Sequence, residues 1–176
     1  MTDVLEGRAM HILAICGSLQ EKSSNLTLLR LAMGTVPPGV EVELYDGLRH
    51  LPHFNPDLAR DELDHSPSTV AELRRAVARA DALLIATPEY GHSLPGSLKN
   101  AIDWLIGTGE LESKLVAITS AVPAPERGRL GLAALRTTLG AVSARVAFAE
   151  PIARGPSFEP EIARMLELLI AAARAQ

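Results

Sequence analysis

His11-Ile-Leu-Ala-Ile-Cys16 is a short, almost unbroken apolar run that stops at Gly17. Strands covered by helices on both faces read this way, because neither side of the sheet meets water. The next segment, Gly17-Ser-Leu-Gln-Glu-Lys-Ser-Ser-Asn25, is rich in hydroxyl and amide groups. Ser23 or Ser24 can cap the helix that follows, in which Leu26, Leu29 and Leu31 to Met33 keep helical spacing before Gly34 and the Pro37-Pro38-Gly39 break. A buried strand feeding a helix through a polar turn is the opening unit of a parallel α/β sheet.

The alternation continues along the chain. Val40, Val42 and Leu44 alternate with Glu41 and Glu43 up to Tyr45-Asp-Gly47, the period-two pattern of an edge strand with one face less buried. Residues 47–65 hold Pro52, Asn55, Pro56 and the histidines His50, His53 and His65, a long irregular connection of the kind found near a site or over a partner surface. Ser66-Pro67 supplies an N-cap and a first turn for a second helix with Val70, Leu73, Val77 and Ala80 on one stripe, ending at Ala80-Asp81. Ala82-Leu-Leu-Ile-Ala86 is a third strand and Leu115 to Thr119 a fourth, separated by a helical stretch from about Ser97 to Ile106. Leu130 to Leu139 read as a helix stopped by Gly140, Ser143 to Phe148 as a fifth strand, and Pro160 to Ala173 as a terminal helix after Gly155-Pro156. Five strands interleaved with five helices predict right-handed crossovers and a five-stranded parallel sheet in a three-layer α/β/α sandwich.

Composition agrees. At 176 residues, 47% hydrophobic and 22% charged, one globular domain is expected. A chain of this size buries roughly 70% of its unfolded surface without a disulfide or metal staple. Residues 1–9 lack periodicity and are expected to form a flexible extension, leaving residues 10–176 as the domain. A net charge of -4 and an aromatic content of 3% exclude a general nucleic-acid binder, which needs surplus cations or stacking platforms. The single cysteine, Cys16, forms no internal bridge and suits a reducing compartment. No stretch approaches the ~18 apolar residues of a membrane span, and Asp3 and Glu6 do not suit a secretory signal, so a cytoplasmic address is expected.

Ligands of open parallel sheets sit outside the carboxyl ends of the strands, which directs attention to three loops. The first, residues 17–25, opens onto a helix N-terminus, where free N–H groups and the dipole hold a terminal phosphate. It reads equally as an ordinary capped helix start. It carries neither the spaced glycines of the dinucleotide fingerprint nor the Gly-Lys-Ser/Thr of a triphosphate loop. The second, Thr87-Pro-Glu-Tyr-Gly-His-Ser-Leu-Pro-Gly96, is stiffened by prolines, offers main-chain groups to a planar heterocycle, and presents Tyr90 and His92 for packing. The third, Ser120-Ala-Val-Pro-Ala-Pro125, has short side chains that can line the same crevice. Each alone is plain turn chemistry; their coincidence at one end raises the functional reading.

Gly17-Ser18-Leu19 with Ser23 and Asn25, Thr87-Pro88-Glu89-Tyr90, Pro95-Gly96, and Leu98-Lys-Asn-Ala-Ile-Asp-Trp104 resemble the NAD(P)H-dependent FMN reductases, as do Leu51-Pro52 and Asn55-Pro-Asp-Leu58. The likeness runs from about Met10 to Leu139. It implies a flavodoxin-like fold with strand order 2-1-3-4-5, FMN as cofactor and NADPH or NADH as co-substrate. The implied activity is ping-pong hydride transfer through flavin N5 to quinones, free flavin or similar acceptors. By this resemblance Ser18, Gln20, Ser23, Ser24 and Asn25 take the FMN phosphate, Pro88, Glu89, Tyr90, Gly91 and His92 hold the ring, and the loop from Ser120 borders its other edge. No side chain is implied as catalytic, and a homodimer or homotetramer is implied. Gln20 stands where many members carry Arg, Gly91-His92 where Asn-Gly is frequent, and the proline-rich 122–127 stretch where glycines are usual.

Other readings compete. Gly91-His-Ser93 suggests a nucleophile elbow, but Pro95 holds its last glycine position and every histidine precedes Ser93, against the chain order of α/β-hydrolases. His50-x-x-His53 with Asp57 lacks a helical scaffold and a further ligand set for a metal. Cys16 has no second cysteine for redox exchange and reads as a small core residue. Trp104 and Asp103 read as a core anchor and a helix-terminal group. Once FMN is accepted, a flavodoxin-like one-electron carrier remains the alternative to a reductase, with a non-flavin binding module as the third class.

Overall fold

The computed structural model describes residues 8–58 and 68–175. Most of the expected N-terminal extension, the Ser66-Pro67 cap and His65 lie outside these residues. Among the described residues, strands β1 (Met10–Cys16), β2 (Val40–Tyr45), β3 (Ala82–Ala86), β4 (Leu115–Val122) and β5 (Arg145–Ala153) form one parallel sheet in the order β2-β1-β3-β4-β5. Helices α1 (Ser24–Thr35), α2 (Ser68–Arg79), α3 (Gly96–Asp103), α4 (Arg129–Ala141) and α5 (Phe158–Arg174) make the crossovers and close the chain. This is the flavodoxin-like order expected.

The period-two geometry of strands divides the core into two layers. Ile12, Ala14, Leu84 and Ala117 face α1 and α5, whereas Leu13, Ile15, Leu83, Ile85, Val116 and Ile118 face α2, α3 and α4. Every residue of β3 is buried, as a central strand with helices on both sides requires. Fully burying each of its leucines and its isoleucine contributes about 1.5–3 kcal/mol. Rigid strand centres leave the chain free to spend polar residues at the strand ends. The edge strand β2 keeps Glu41 and Glu43 exposed.

Several boundaries differ from the sequence reading. β5 runs to Ala153 and carries β4 with it, through pairs Ser120↔Pro151, Ala121↔Ile152 and Val122↔Ala153. Pro151 is tolerated because β5 is an edge strand with no neighbour on its outer side. Ser120 is therefore a buried strand residue, and the loop after β4 begins at Pro123. Gly140 does not stop α4, which ends instead on Ser143 at φ 59°, with Ser143 N–H donating to the Gly140 carbonyl and Ala144 N–H to that of Leu139. Arg8, in the expected extension, pairs with Asp81 at 2.5 Å.

Candidate functional site

β1, β3 and β4 are neighbours in the sheet, so the loops that follow them leave it side by side. Gly17 N–H donates to the Ala86 carbonyl at 2.8 Å. A Cβ on Gly17 would fall 2.3 Å from Thr87 Oγ1 and 2.8 Å from Thr87 Cβ, so only glycine lets the first loop pass over the end of β3. Beyond it, Ser18 Oγ accepts from Gln20 N–H at 3.3 Å, and Ser23 N–H donates to the Gln20 carbonyl. Ser23 is the N-cap of α1, its Oγ accepting from Asn25 N–H at 3.2 Å. The backbone N–H groups of Leu19, Glu21, Lys22 and Ser24 find no acceptor among the described residues. The loop is thus a donor-rich turn at the positive end of a helix.

Asn25 is buried, and its Oδ1 accepts from Ala121 N–H at 2.8 Å. That bond ties the first turn of α1 to the end of β4. Ser18, Gln20, Ser23, Ser24 and Asn25 therefore share one turn, with the hydroxyl oxygens of Ser18 and Ser23 and the amide oxygen of Asn25 already used as acceptors. Ser120 lies beneath the loops, and a Cβ on Gly128 would come 3.1 Å from its Oγ.

After β3, Tyr90 N–H donates to the Ser93 carbonyl and Ser93 N–H to that of Tyr90, both at 3.0 Å. Gly91 (φ 56°) and His92 (φ 61°) form the two-residue tip, with the paired positive φ values of a type I′ hairpin turn. Tyr90 is 56% exposed. Glu89 turns the other way: its Oε2 accepts from Gly131 N–H at 2.9 Å, in the first turn of α4, and a Cβ on Gly131 would lie 3.0 Å from that of Glu89. His92 Nδ1 lies 3.6 Å from Glu89 Oε1. Pro88 to His92 thus form one projecting loop whose base is fixed to α4 through Glu89.

The connection after β2 reaches the same end and is tied to α3 through Pro52, Phe54, Asn100 and Trp104. Phe54 N–H donates to Asn100 Oδ1 at 2.7 Å, and Asn100 Nδ2 and Trp104 Nε1 donate to the Pro52 carbonyl at 2.9 and 2.8 Å. Phe54 meets Trp104 edge to face, with ring centroids 5.2 Å apart. The available signal was the i, i+4 pairing of Asn100 with Trp104 on one helix face, opposite a proline-rich segment whose carbonyls need donors. Trp104 is the buried anchor expected.

Beside the first loop lies a recess of about 390 Å³, whose walls include Ser18, Gln20, Arg30, Tyr45 and Arg49. Burial pushes the Cys16 thiol upward despite bonds from Ser18 N–H and the Ser23 hydroxyl, which leaves it a poor nucleophile. A larger recess, about 960 Å³, opens at the opposite end of the sheet among Arg8, His11, Glu43, Asp81 and Lys114. Several of its charges have partners: Arg8 with Asp81, His11 with Glu43 at 2.8 Å, and Lys114 Nζ donating to the Ala80 carbonyl at 2.6 Å, while Glu41 and Glu112 add negative charge to its wall. Helices end there on carbonyls, so the donors converge only at the other end. Among the described residues, no three or more His, Cys, Asp or Glu side chains cluster to hold a metal ion.

A sequence model described as NADPH-dependent FMN reductase matches residues 10–154. The chain belongs to that family. It is 44% identical over 95 residues to an NAD(P)H-dependent FMN reductase of Pseudomonas aeruginosa, a match covering 54% of this chain and 49% of the relative. A quinone reductase of Escherichia coli is 35% identical over 96 residues, covering 54% of this chain and 50% of the relative. The matched stretch therefore spans about half the length of these curated relatives. The solved flavoenzyme NAD(P)H:(acceptor) oxidoreductase of Paracoccus denitrificans superposes with a TM-score of 0.78 at 24% identity, covering 93% of this chain and 98% of that one. At that identity the likeness speaks for the fold. In this FMN reductase family member, no described helix is long and apolar enough to cross a membrane.

Proposed function

We propose that the chain, as one domain over residues 10–176, is an FMN-dependent NAD(P)H oxidoreductase that reduces quinones, free flavin or similar small acceptors. The observation that carries this reading is the donor set of the first loop. The N–H groups of Leu19, Glu21, Lys22 and Ser24 lack acceptors at the N-terminus of α1, where a terminal phosphate is best stabilised. This chemistry fits FMN, whose phosphate would be held by the turn formed by Ser18, Gln20, Ser23, Ser24 and Asn25. The ring would rest against Pro88 to His92, with Ser120 beneath its other edge. Bound there, FMN supplies the hydride and electron transfer that no side chain provides.

The protein's part is position and polarity. Glu89 and Asn25 brace the loops, and main-chain donors of the 88–92 segment would stabilise negative charge arising beside them. The exposed ring of Tyr90 offers an apolar face to planar guests, and its openness supports two substrates visiting in turn, hence ping-pong kinetics. Leu19, Leu58 and Leu130 are also exposed near this end, which supports a homodimer or homotetramer covering it. A cytoplasmic address completes the reading.

The visible spectrum of the purified protein, followed by anaerobic NADPH addition and quinone turnover, tests it. A yellow protein that NADPH or NADH bleaches, and a quinone restores, supports the reductase. A yellow protein that neither nicotinamide reduces would be an electron carrier. A colourless protein that does not take up FMN would end the flavin reading.

A further inference from the structure

The first loop offers many donors and almost no net charge. Its charged side chains, Glu21 and Lys22, are adjacent, exposed and of opposite sign. A phosphate monoester brings about -1.5 to -2 charges at neutral pH, and neutral donors alone compensate them weakly. Cationic groups reach this loop from outside it. Arg49, on the short 3-10 turn Leu48–His50 after β2, places Nη2 3.5 Å from the Leu19 carbonyl. Arg30, in the middle of α1, lines the same 390 Å³ recess. Like most arginines among the described residues, Arg30 and Arg49 have no carboxylate within 4.0 Å; what sets this pair apart is that both line the recess beside the first loop. Glu21 and Asp46 also border the recess yet pair with neither guanidinium. Two guanidinium groups without a carboxylate partner, beside a turn of unsatisfied N–H donors, are complementary to a compact dianion.

We infer that Arg49, with Arg30 behind it, is the cationic wall of a phosphate-monoester site shared with the 18–24 turn. Its ligand is either the terminal phosphate of FMN or the 2′-phosphate that distinguishes NADPH from NADH. The inference rests on the flavin reading above. It adds to that reading two residues remote in sequence from the loop, whose charge gives the site its affinity. Both side chains are exposed, so replacing them leaves the core intact.

The test titrates the apoprotein with FMN and with riboflavin by flavin fluorescence, and the flavin-loaded protein with NADP+ and NAD+ by calorimetry. The proteins compared are the wild type, Arg49→Gln, Arg30→Gln and the double variant. A loss of tenfold or more in FMN affinity, with riboflavin binding unchanged and the remaining gap closing in high salt, assigns the wall to the cofactor's phosphate. An unchanged FMN affinity with a similar loss for NADP+ alone assigns it to the nicotinamide cofactor. Arg49→Lys should retain part of either effect, since it keeps the charge and loses the fork. If both affinities stay within twofold of wild type in the double variant, the inference is overturned while the flavin reading stands. A wild-type protein that binds neither FMN nor riboflavin overturns the flavin reading and this inference with it.

Discussion

Asn25 Oδ1 accepts the backbone N–H of Ala121 at 2.8 Å, joining the first turn of α1 to the end of β4 across 96 positions of sequence. One side chain thereby sets the distance between the loop offered to a phosphate and the loop after β4. Asn25→Ala leaves a part-buried N–H without an acceptor, which costs about 1–3 kcal/mol. Ser18→Ala, in the same turn, removes only a bond of 3.3 Å to Gln20 N–H. We expect both variants to retain less FMN after purification, but only Asn25→Ala to melt several degrees lower as apoprotein. Equal melting temperatures would show that the Ala121 bond does not brace the site.

Glu89 acts similarly on the loop after β3. Its carboxylate caps Gly131 N–H in the first turn of α4, where it meets the positive end of the helix dipole. Glu89→Gln keeps an acceptor and loses the charge, whereas Glu89→Ala loses both. Denaturant titration should place Glu89→Ala about 1–2 kcal/mol below wild type and Glu89→Gln between them. FMN affinity should fall in the same order, because the base of the 88–92 loop loosens. If Glu89→Ala weakened FMN binding without altering stability, direct contact with the ring would replace bracing as its role.

At the tip of that loop, His92 holds φ 61° without being glycine. An L-residue in that region costs roughly 1–2 kcal/mol. His92→Gly should therefore raise the melting temperature, and His92→Asn should do so by less. If His92 is kept for its ring, turnover with quinone should drop in the stabilised variants; a gain in stability with unchanged kcat/KM would make the residue incidental.

The strands, their parallel sheet and the helix layers were legible because buried strands leave unbroken apolar runs, as His11 to Cys16 and Ala82 to Ala86 do, whereas the order of the strands came from the family resemblance. The positions of the three loops followed from the carboxyl ends of those strands. The bonds that hold them together were not legible. Asn25 with Ala121 and Glu89 with Gly131 join residues far apart in sequence with no local pattern to mark the partner, and the Asn100–Trp104 pair marks donors on α3 without saying that Pro52 receives them. The end of β4 was misplaced for a related reason: Ser120 has poor strand propensity, and its place in the sheet is secured by pairing with Pro151 on β5.

Gly140 looked like a helix stop, yet it lies inside α4, exposed, with nothing within 4 Å of a Cβ built on it. The terminating left-handed residue is Ser143. Gly140→Ala should thus add about 0.5–1 kcal/mol through helix propensity and a less flexible unfolded chain. Ser143→Gly should add stability by relieving a positive φ. Chemical denaturation of the two single variants and their combination checks both; a loss from Gly140→Ala would mean that the helix ends where the glycine suggested.

Tyr45 carries a buried hydroxyl without a hydrogen-bond partner, at the rim of the recess that holds Arg49. Burial, aided by the negative charge of Glu72, pushes its pKa from the ordinary tyrosine value of 10.0 up to about 12. Raising a folded-state pKa means that the unfolded chain releases the proton first. The stabilising contribution is therefore complete below pH 10 and is lost as pH climbs from there through about 12. Tyr45→Phe has no proton to lose and gives up no bond, so at pH 7 it should be as stable as wild type or slightly more so. Urea midpoints measured from pH 7 to 11.5 should show the wild type falling away from Tyr45→Phe only above about pH 10. Parallel curves over that range would mean that the hydroxyl reaches water in the folded protein.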